Sequence, residues 1–283
     1  MTSLSKKKSL VSLLISDVDG TLVTRDKVVT PQTKTAVSRL RAAGIAFSIA
    51  SSRPVLGLKQ LILDLEINIA VGALNGGVII RPDLSVISSR HLQRRTVVRA
   101  LELFREHGLS AWLYTEADWF ILDSQNPQVE REAWVVQFNP TVCNSFDPLL
   151  DRTVKIVGVS SGHELKPDLA ETIRNALPCN TAVTRSDADS LDVTHHHATK
   201  GCVVEFLSRN IRIPMQAIAT IGDMPNDVSM FNRGGISIAM GNAEKEVQAQ
   251  ATFVTSTNDE DGFSKAVGSF VLPDHALALA EWR

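Results

Sequence analysis

Four aspartates stand where carboxylates could do chemistry. Asp17 and Asp19, one residue apart, follow the apolar run "LVSLLIS" in "DVDGTL". Asp223 and Asp227 follow "AIATIG" in "GDMPND". A hydroxyl, Ser51, follows "IAFSIA", and an ammonium, Lys200, opens "KGCVVEFLSRN". Two unit charges 4 Å apart interact by about 4 kcal/mol at an effective dielectric near 20, so four carboxylates in one cleft would repel strongly. A divalent cation resolves this. Clustered oxygens without His or Cys partners suit a hard ion, and Mg2+ is the expected one. Carboxylates, a dication, a hydroxyl and a lysine together suit phosphoryl transfer. Cation and lysine neutralise the phosphate, and a carboxylate can attack in line.

Residues nearly two hundred positions apart must then be brought to one place. "LVSLLIS" is short, continuous and apolar, the pattern of a strand buried on both faces of a parallel sheet. With Lys6-Lys7-Lys8 before it, the run also looks like a signal peptide. It is short for one, however, runs into two aspartates, and lacks a small-residue cleavage site. In "TPQTKTAVSRLRAAG", Thr30 is a plausible N-cap, Pro31 takes the first helical position, and Gly44 stops the helix. The strand "IAFSIA", a helix over about 54–65 and the strand "NIAVGAL" follow. This strand-helix alternation predicts a parallel sheet with right-handed crossovers. Such sheets bind ligands beyond the carboxyl ends of their strands. Asp17, Ser51 and Asp223 each sit just past a strand, and Lys200 begins the helix leading to the strand before Asp223.

From about Asp83 to Thr194 the pattern changes. Helical stretches ("QRRTVVRALELFREHG", "HELKPDLAETIRNAL") mix with short strands ("SAWLYT", "WFILD", "TVKIVGVSS", "NTAVTR", "SLDVT"). The α/β rhythm then returns, and the tail "HALALAEWR" reads as a short helix. The expected fold is α/β: a parallel-sheet, Rossmann-like core over 1–83 and 195–283, interrupted by an α+β domain over 84–194.

Composition bounds the rest. The chain has 283 residues, 44% hydrophobic and 21% charged, with a formal net charge of -2. That is globular composition without an electrostatic footprint for nucleic acid or an acidic membrane surface. No stretch approaches the roughly 20 apolar residues of a membrane-spanning helix. The 3 cysteines, Cys143, Cys179 and Cys202, have no metal-ligand spacing, and their odd number fits a reducing cytoplasm.

In the order of its motifs the chain resembles the haloacid dehalogenase (HAD) superfamily, in particular its Cof-type phosphatases with a large α+β cap (type IIB). The matching residues are "DVDGTL" at Asp17, "SSR" at Ser51, "LNGG" at Asn75, Lys200 in "ATKG" and "GDMPND" at Asp223. The resemblance implies a nucleophilic Asp17 that forms an aspartyl-phosphate, and an Asp19 that protonates the leaving group and then activates water. It implies Mg2+ held by Asp17, the backbone carbonyl of Asp19, and Asp223, with Asp227 acting through metal-bound waters. Ser51 and Lys200 would hold the phosphoryl group. Gly20, Ser52, Arg53, Asn75 and Asn226 would lie against the phosphate. Where this branch usually carries Thr-Gly-Arg, the chain has Ser51-Ser52-Arg53, which keeps the hydroxyl and loses the glycine. The implied substrate is a small phosphorylated metabolite, a sugar phosphate or pyridoxal phosphate. The implied enzyme is a cytoplasmic monomer or homodimer whose mobile cap excludes bulk water.

Other readings compete. A phosphomutase shares the first half-reaction, and a receiver domain or a non-catalytic phosphate binder shares several of the residues. Asp17 and Asp19 taken alone fit a strand-to-turn junction. Ser51 fits a helix N-cap ahead of Pro54. Asn75 fits an unusual backbone conformation. His195, His196 and His197 suggest a metal site, but adjacent residues of an extended segment point apart, so surface or hinge packing is expected, with one of them near substrate at most. Trp112, Tyr114, Trp119 and Phe120 are expected mainly in the core of the inserted domain, with Tyr114 or Trp119 a candidate lining for a substrate pocket.

Overall fold

β1 (Leu13–Ser16) is buried throughout, as a central strand of a parallel sheet must be. The computed structural model describes residues 11–272, so the lysine run at 6–8 and "HALALAEWR" lie outside the described residues. After β1 come α1 (Pro31–Ala42), β2 (Ala46–Ile49) and α2 (Lys59–Asp64). α1 begins and ends as its sequence dictates. The Thr30 side chain accepts the Thr33 N–H, Pro31 leads the helix, and Gly44 follows at φ +76°. The helix expected over 54–65 is split into a 3-10 turn, Val55–Leu58, and α2. Pro54 caps that turn without a side-chain bond, so Ser51 is not its N-cap.

The middle of the chain holds β3 (Val71–Ala73), β4 (Val78–Ile80), β5 (Val86–Ser89), α3 (Arg94–Glu106), β6 (Ser110–Tyr114), β7 (Trp119–Ile121), α4 (Gln128–Val136), β8 (Thr141–Val142), β9 (Lys155–Val159), α5 (Leu169–Ala176), β10 (Thr181–Asp187) and β11 (Ser190–His195). It closes with α6 (Lys200–Asn210), β12 (Ile218–Gly222), α7 (Val228–Phe231), β13 (Ile236–Ala239), α8 (Lys245–Gln248), β14 (Phe253–Val254) and α9 (Gly262–Ala266). α5 is shorter than its apolar pattern because Pro167 disfavours helix in the residue before it.

The parallel sheet has the order β14-β13-β12-β1-β2. β3 does not join it and forms a three-stranded sheet with β4 and β5, against the expectation of a third parallel strand. Leu74, Asn75 and Gly76 take φ of 48°, 57° and 85° in succession, which redirects the chain into β4 instead of a crossover. Beside β2 the chain is held by a side chain: Ser48 Oγ donates to Ala70 O at 2.7 Å.

The chain divides into two compact units. One comprises the chain up to Ser51, Gln60–Val71 and the chain from Thr199; the other comprises Ser52–Lys59 and Gly72–Ala198. The change of pattern placed at Asp83 falls inside the second unit, whose long segment begins at Gly72 and so already includes β4. Its six-stranded sheet runs β10-β11-β9-β6-β7-β8, antiparallel except for the β7–β8 pair. α3 and α5 cover one face with Val97, Phe104, Leu169 and Ile173, packed on Leu113, Ile156 and Val193. Gly158 on β9 leaves room for the Phe104 ring, which a Cβ there would meet at 2.8 Å. On the opposite face Tyr114 stacks on Trp119 at 5.7 Å, and Lys155 pairs with Asp192 at 2.6 Å. Tyr114 and Trp119 are fully buried, which is the core placement and not an open lining.

Candidate active site

Strand register explains why distant residues meet. Ser16 lies level with Ile221 of β12 and Ile49 of β2. The next residues are Asp17, Gly222 and Ala50, and one step further stand Asp223 and Ser51. The ladder continues past the strands: Asp17 N–H donates to Ile221 O, and Ala50 N–H to Ser16 O, each at 2.9 Å.

Lys200 ties the rim together. Thr199 caps α6 by accepting the Cys202 N–H, which fixes where the helix starts and so where Lys200 stands. Lys200 Nζ donates to Asp17 Oδ1 at 2.5 Å and to Asp227 Oδ1 at 2.6 Å. Asp227 Oδ2 accepts the backbone N–H groups of Asp223 and Met224, both at 2.9 Å. Both of its oxygens therefore position other groups. Gly222 makes this possible, since a Cβ there would lie 2.3 Å from Asp227 Cγ. Asp223 Oδ1 accepts from Thr21 Oγ1 at 3.0 Å, and Asn242 Nδ2 donates to Gly20 O at 2.9 Å and to Asp223 Oδ2 at 3.3 Å. Gly20, at φ +82°, could carry no side chain: a Cβ would lie 2.2 Å from Asp223 Oδ2.

Asp17, Asp223 and Asp227 are buried and each offers an oxygen within 4.8 Å of the others'. Three carboxylates and one ammonium leave two negative charges uncompensated. Burial pushes the Asp17 carboxyl well above the usual carboxylate range; Lys200 opposes that, and Asp227 and Asp223 push it further up. Asp223 is pushed up to about 6 by burial and the Asp227 charge, against Lys200 and Thr21. For Lys200, burial pulls downward, but Asp17 and Asp227 outweigh it and hold the ammonium above its ordinary range. A dication would balance the two charges, and an all-oxygen donor set suits a hard one. The residues present fit the expected metal.

The Asp19 carboxylate is not part of this trio. Its Oδ1 accepts from Lys27 Nζ at 2.8 Å, so three of the four carboxylates expected from sequence, not all four, form the cluster. Ser51 is fully buried at the end of β2, and Asn226 is exposed in the turn before Asp227. Ser52, Arg53 and Asn75 belong to the second unit. There Arg53 is buried, its carbonyl accepts the Leu74 N–H at 2.9 Å, and Asn75 takes the left-handed conformation that suits its residue type. Thr21, Lys27 and Asn242 are contacts that sequence reasoning missed. Thr21 was within reach, inside "DVDGTL"; no spacing rule points to the other two.

His196 and His197 are exposed, the surface packing expected of them, but their directions differ from expectation. β11 ends at His195 and the chain turns, so the three rings gather with centroids 3.9–5.5 Å apart instead of pointing apart. His196 Nδ1 donates to Asn180 O at 2.9 Å, and His195 Nδ1 accepts the His197 N–H at 3.1 Å. Burial and the neighbouring His196 and Arg90 hold the His195 ring below its ordinary range. Among the described residues, no helix is long and apolar enough to cross a membrane.

Comparisons with known proteins agree with this geometry. The haloacid dehalogenase-like hydrolase family profile matches residues 14–267. The 5-amino-6-(5-phospho-D-ribitylamino)uracil phosphatase YwtE of Bacillus subtilis is 30% identical over 288 residues, covering 92% of this chain and 98% of that protein. A haloacid dehalogenase-like hydrolase from Bacteroides thetaiotaomicron superposes with a TM-score of 0.81 at 28% identity, covering 91% of this chain and 98% of that one. A second protein of that organism, analysed among phosphatases of the same superfamily, gives 0.79 at 26% identity, covering 95% and 97%. The chain belongs to the haloacid dehalogenase-like hydrolases, in their Cof-type phosphatase branch.

Proposed function

We propose that this phosphatase is a Mg2+-dependent hydrolase of small phosphomonoesters that works through a phosphate ester of Asp17. The observation that carries the proposal is Lys200 Nζ, buried and bonded to both Asp17 and Asp227. It holds the Asp17 carboxylate in one orientation, within a cluster whose uncompensated charge suits a dication.

In this reading an Asp17 oxygen attacks phosphorus as the bond to the ester oxygen breaks. The departing oxygen keeps the bonding electrons and takes a proton from Asp19. Water then gives its proton to Asp19 and its oxygen to phosphorus, which frees Asp17 and inorganic phosphate. Ser51 and Lys200 hold phosphoryl oxygens, with Gly20 and Asn226 as further phosphate contacts. Asp17, Asp223 and the Asp19 carbonyl would hold the metal, with Asp227 supporting it through waters; bound there, it supplies positive charge against the phosphate. Sugar phosphates and pyridoxal phosphate are the expected substrates, and the relative's name adds a phosphoribityl ester to the candidates. The α+β domain is proposed to select among them. The free cysteines support a cytoplasmic location.

The test is phosphate release from a panel of these esters, with Mg2+ and with chelator, using the wild type and Asp17→Asn. Turnover that needs Mg2+ and falls by at least about 10³-fold in Asp17→Asn is expected. A folded, Mg2+-binding wild type that releases no phosphate from any ester would refute the proposal.

A further inference from the structure

The acid/base candidate Asp19 has a partner that no motif announces. Lys27 Nζ lies 2.8 Å from Asp19 Oδ1, with the two side chains only 16% and 23% exposed. An ion pair between freely solvated chains would carry little weight. This one is built into a braced loop. Lys27 has φ +62°, a backbone conformation that residues with side chains seldom take. Its N–H donates to Thr24 O, and the Thr24 N–H to Val28 O, both at 3.0 Å, which closes the turn. The base of the turn is tied from the far end of the sequence. Asn258 Nδ2 donates to Val23 O at 2.9 Å, and Asp259 accepts the Arg25 N–H at 3.0 Å and pairs with Arg25 Nε at 3.2 Å. A bridge between Asp19 and Val23 joins the turn to the motif itself. Unfavourable backbone of this kind persists where its surroundings hold it.

We propose that Lys27 is a positioning residue for Asp19. Its ammonium, aimed by the left-handed turn, fixes the carboxyl in the orientation from which it passes a proton to the departing ester oxygen. The inference rests on the role of Asp19 proposed above. The pair restrains rotation of the carboxyl about its side-chain bonds, and proton transfer tolerates little misplacement.

Leaving-group dependence tests this. An alkyl phosphate expels a poor leaving group and needs the proton; p-nitrophenyl phosphate expels a good one and does not. The value of kcat/KM reports the steps up to departure of the alcohol, so slow hydrolysis of the Asp17 ester does not mask the effect. Lys27→Met, Lys27→Arg and Asp19→Asn are compared in the full chain with Mg2+. Lys27→Met is expected to lower kcat/KM for the alkyl ester by about tenfold to a hundredfold, and that for p-nitrophenyl phosphate by less than about threefold. Lys27→Arg is expected to restore most of the loss. Asp19→Asn showing this split while Lys27→Met lowers both esters equally, or neither, would overturn the inference and leave the proposed function standing. If Asp19→Asn shows no split in an active enzyme, the role assigned to Asp19 fails, and the inference falls with it.

Discussion

At the scale of single residues, Lys200 is both a structural and a chemical group. It is 2% exposed between two carboxylates. Removing one member of a buried ion pair costs about 3–5 kcal/mol, because it strands its partners in a low-dielectric interior. Lys200→Met is therefore expected to destabilise the metal-free protein by about that amount and to abolish phosphate release, as read by urea unfolding and a phosphate assay. Wild-type stability in this variant would mean that the pair contributes nothing net. Residue type alone carried much of this site. Carboxylates without His or Cys partners already pointed to a hard cation, and the order of the motif segments pointed to the family. What residue type could not reveal was pairing. Asp19 and Asp223 look equivalent in the sequence, yet one sits beside Lys27 and the other among carboxylates.

At the scale of elements, the site depends on where helices and strands start and stop. Thr199 accepts the Cys202 N–H at 3.3 Å, and the residue after it is Lys200. Thr199→Ala is expected to cost about 1 kcal/mol of stability, the usual price of a lost N-cap. Its denaturation midpoint should fall without a change in m-value. Retention of the full midpoint would show that α6 is held by packing instead. β1, α1, β2, α6 and β12 were legible because each combines a clear apolar period with a terminal signal. β3 was not: its composition is that of a buried strand, and only the left-handed run at 74–76 sends it to another sheet. The directions of the histidine rings were not legible for a related reason, since the end of β11 at His195 cannot be read from three identical residues.

At the scale of the whole molecule, a net charge of -2 says little, while the buried cluster concentrates its own excess of negative charge. Asp223 ionises near 6 in the folded protein against an ordinary 3.8, and Asp17 is shifted in the same direction. Between those values the folded state holds protons that the unfolded chain has released. The metal-free protein should therefore lose stability as pH rises from about 4 to 6. Mg2+ competes with those protons, so its stabilising effect should grow over the same range. At a hundredfold excess over Kd it is worth about 2.7 kcal/mol. Scanning calorimetry with and without Mg2+ at pH 5 and pH 7.5 should show the larger rise in Tm at the higher pH. Equal rises at both would remove Asp17 and Asp223 as ligands.

By itself the sequence determined the local part: apolar runs that must be buried, the Thr-Pro and Thr-Lys helix starts, and carboxylates set where strands end. These are properties of neighbouring residues, and backbone sterics and hydrophobic period are local physics. Only the tertiary structure decided which carboxylate meets which cation. The register of β1 against β12 brings Asp17 beside Asp223, the cap of α6 sets Lys200 between Asp17 and Asp227, and a braced left-handed turn places Lys27 on Asp19. Charges interact through space, over a few ångströms, and sequence separation carries no record of that distance.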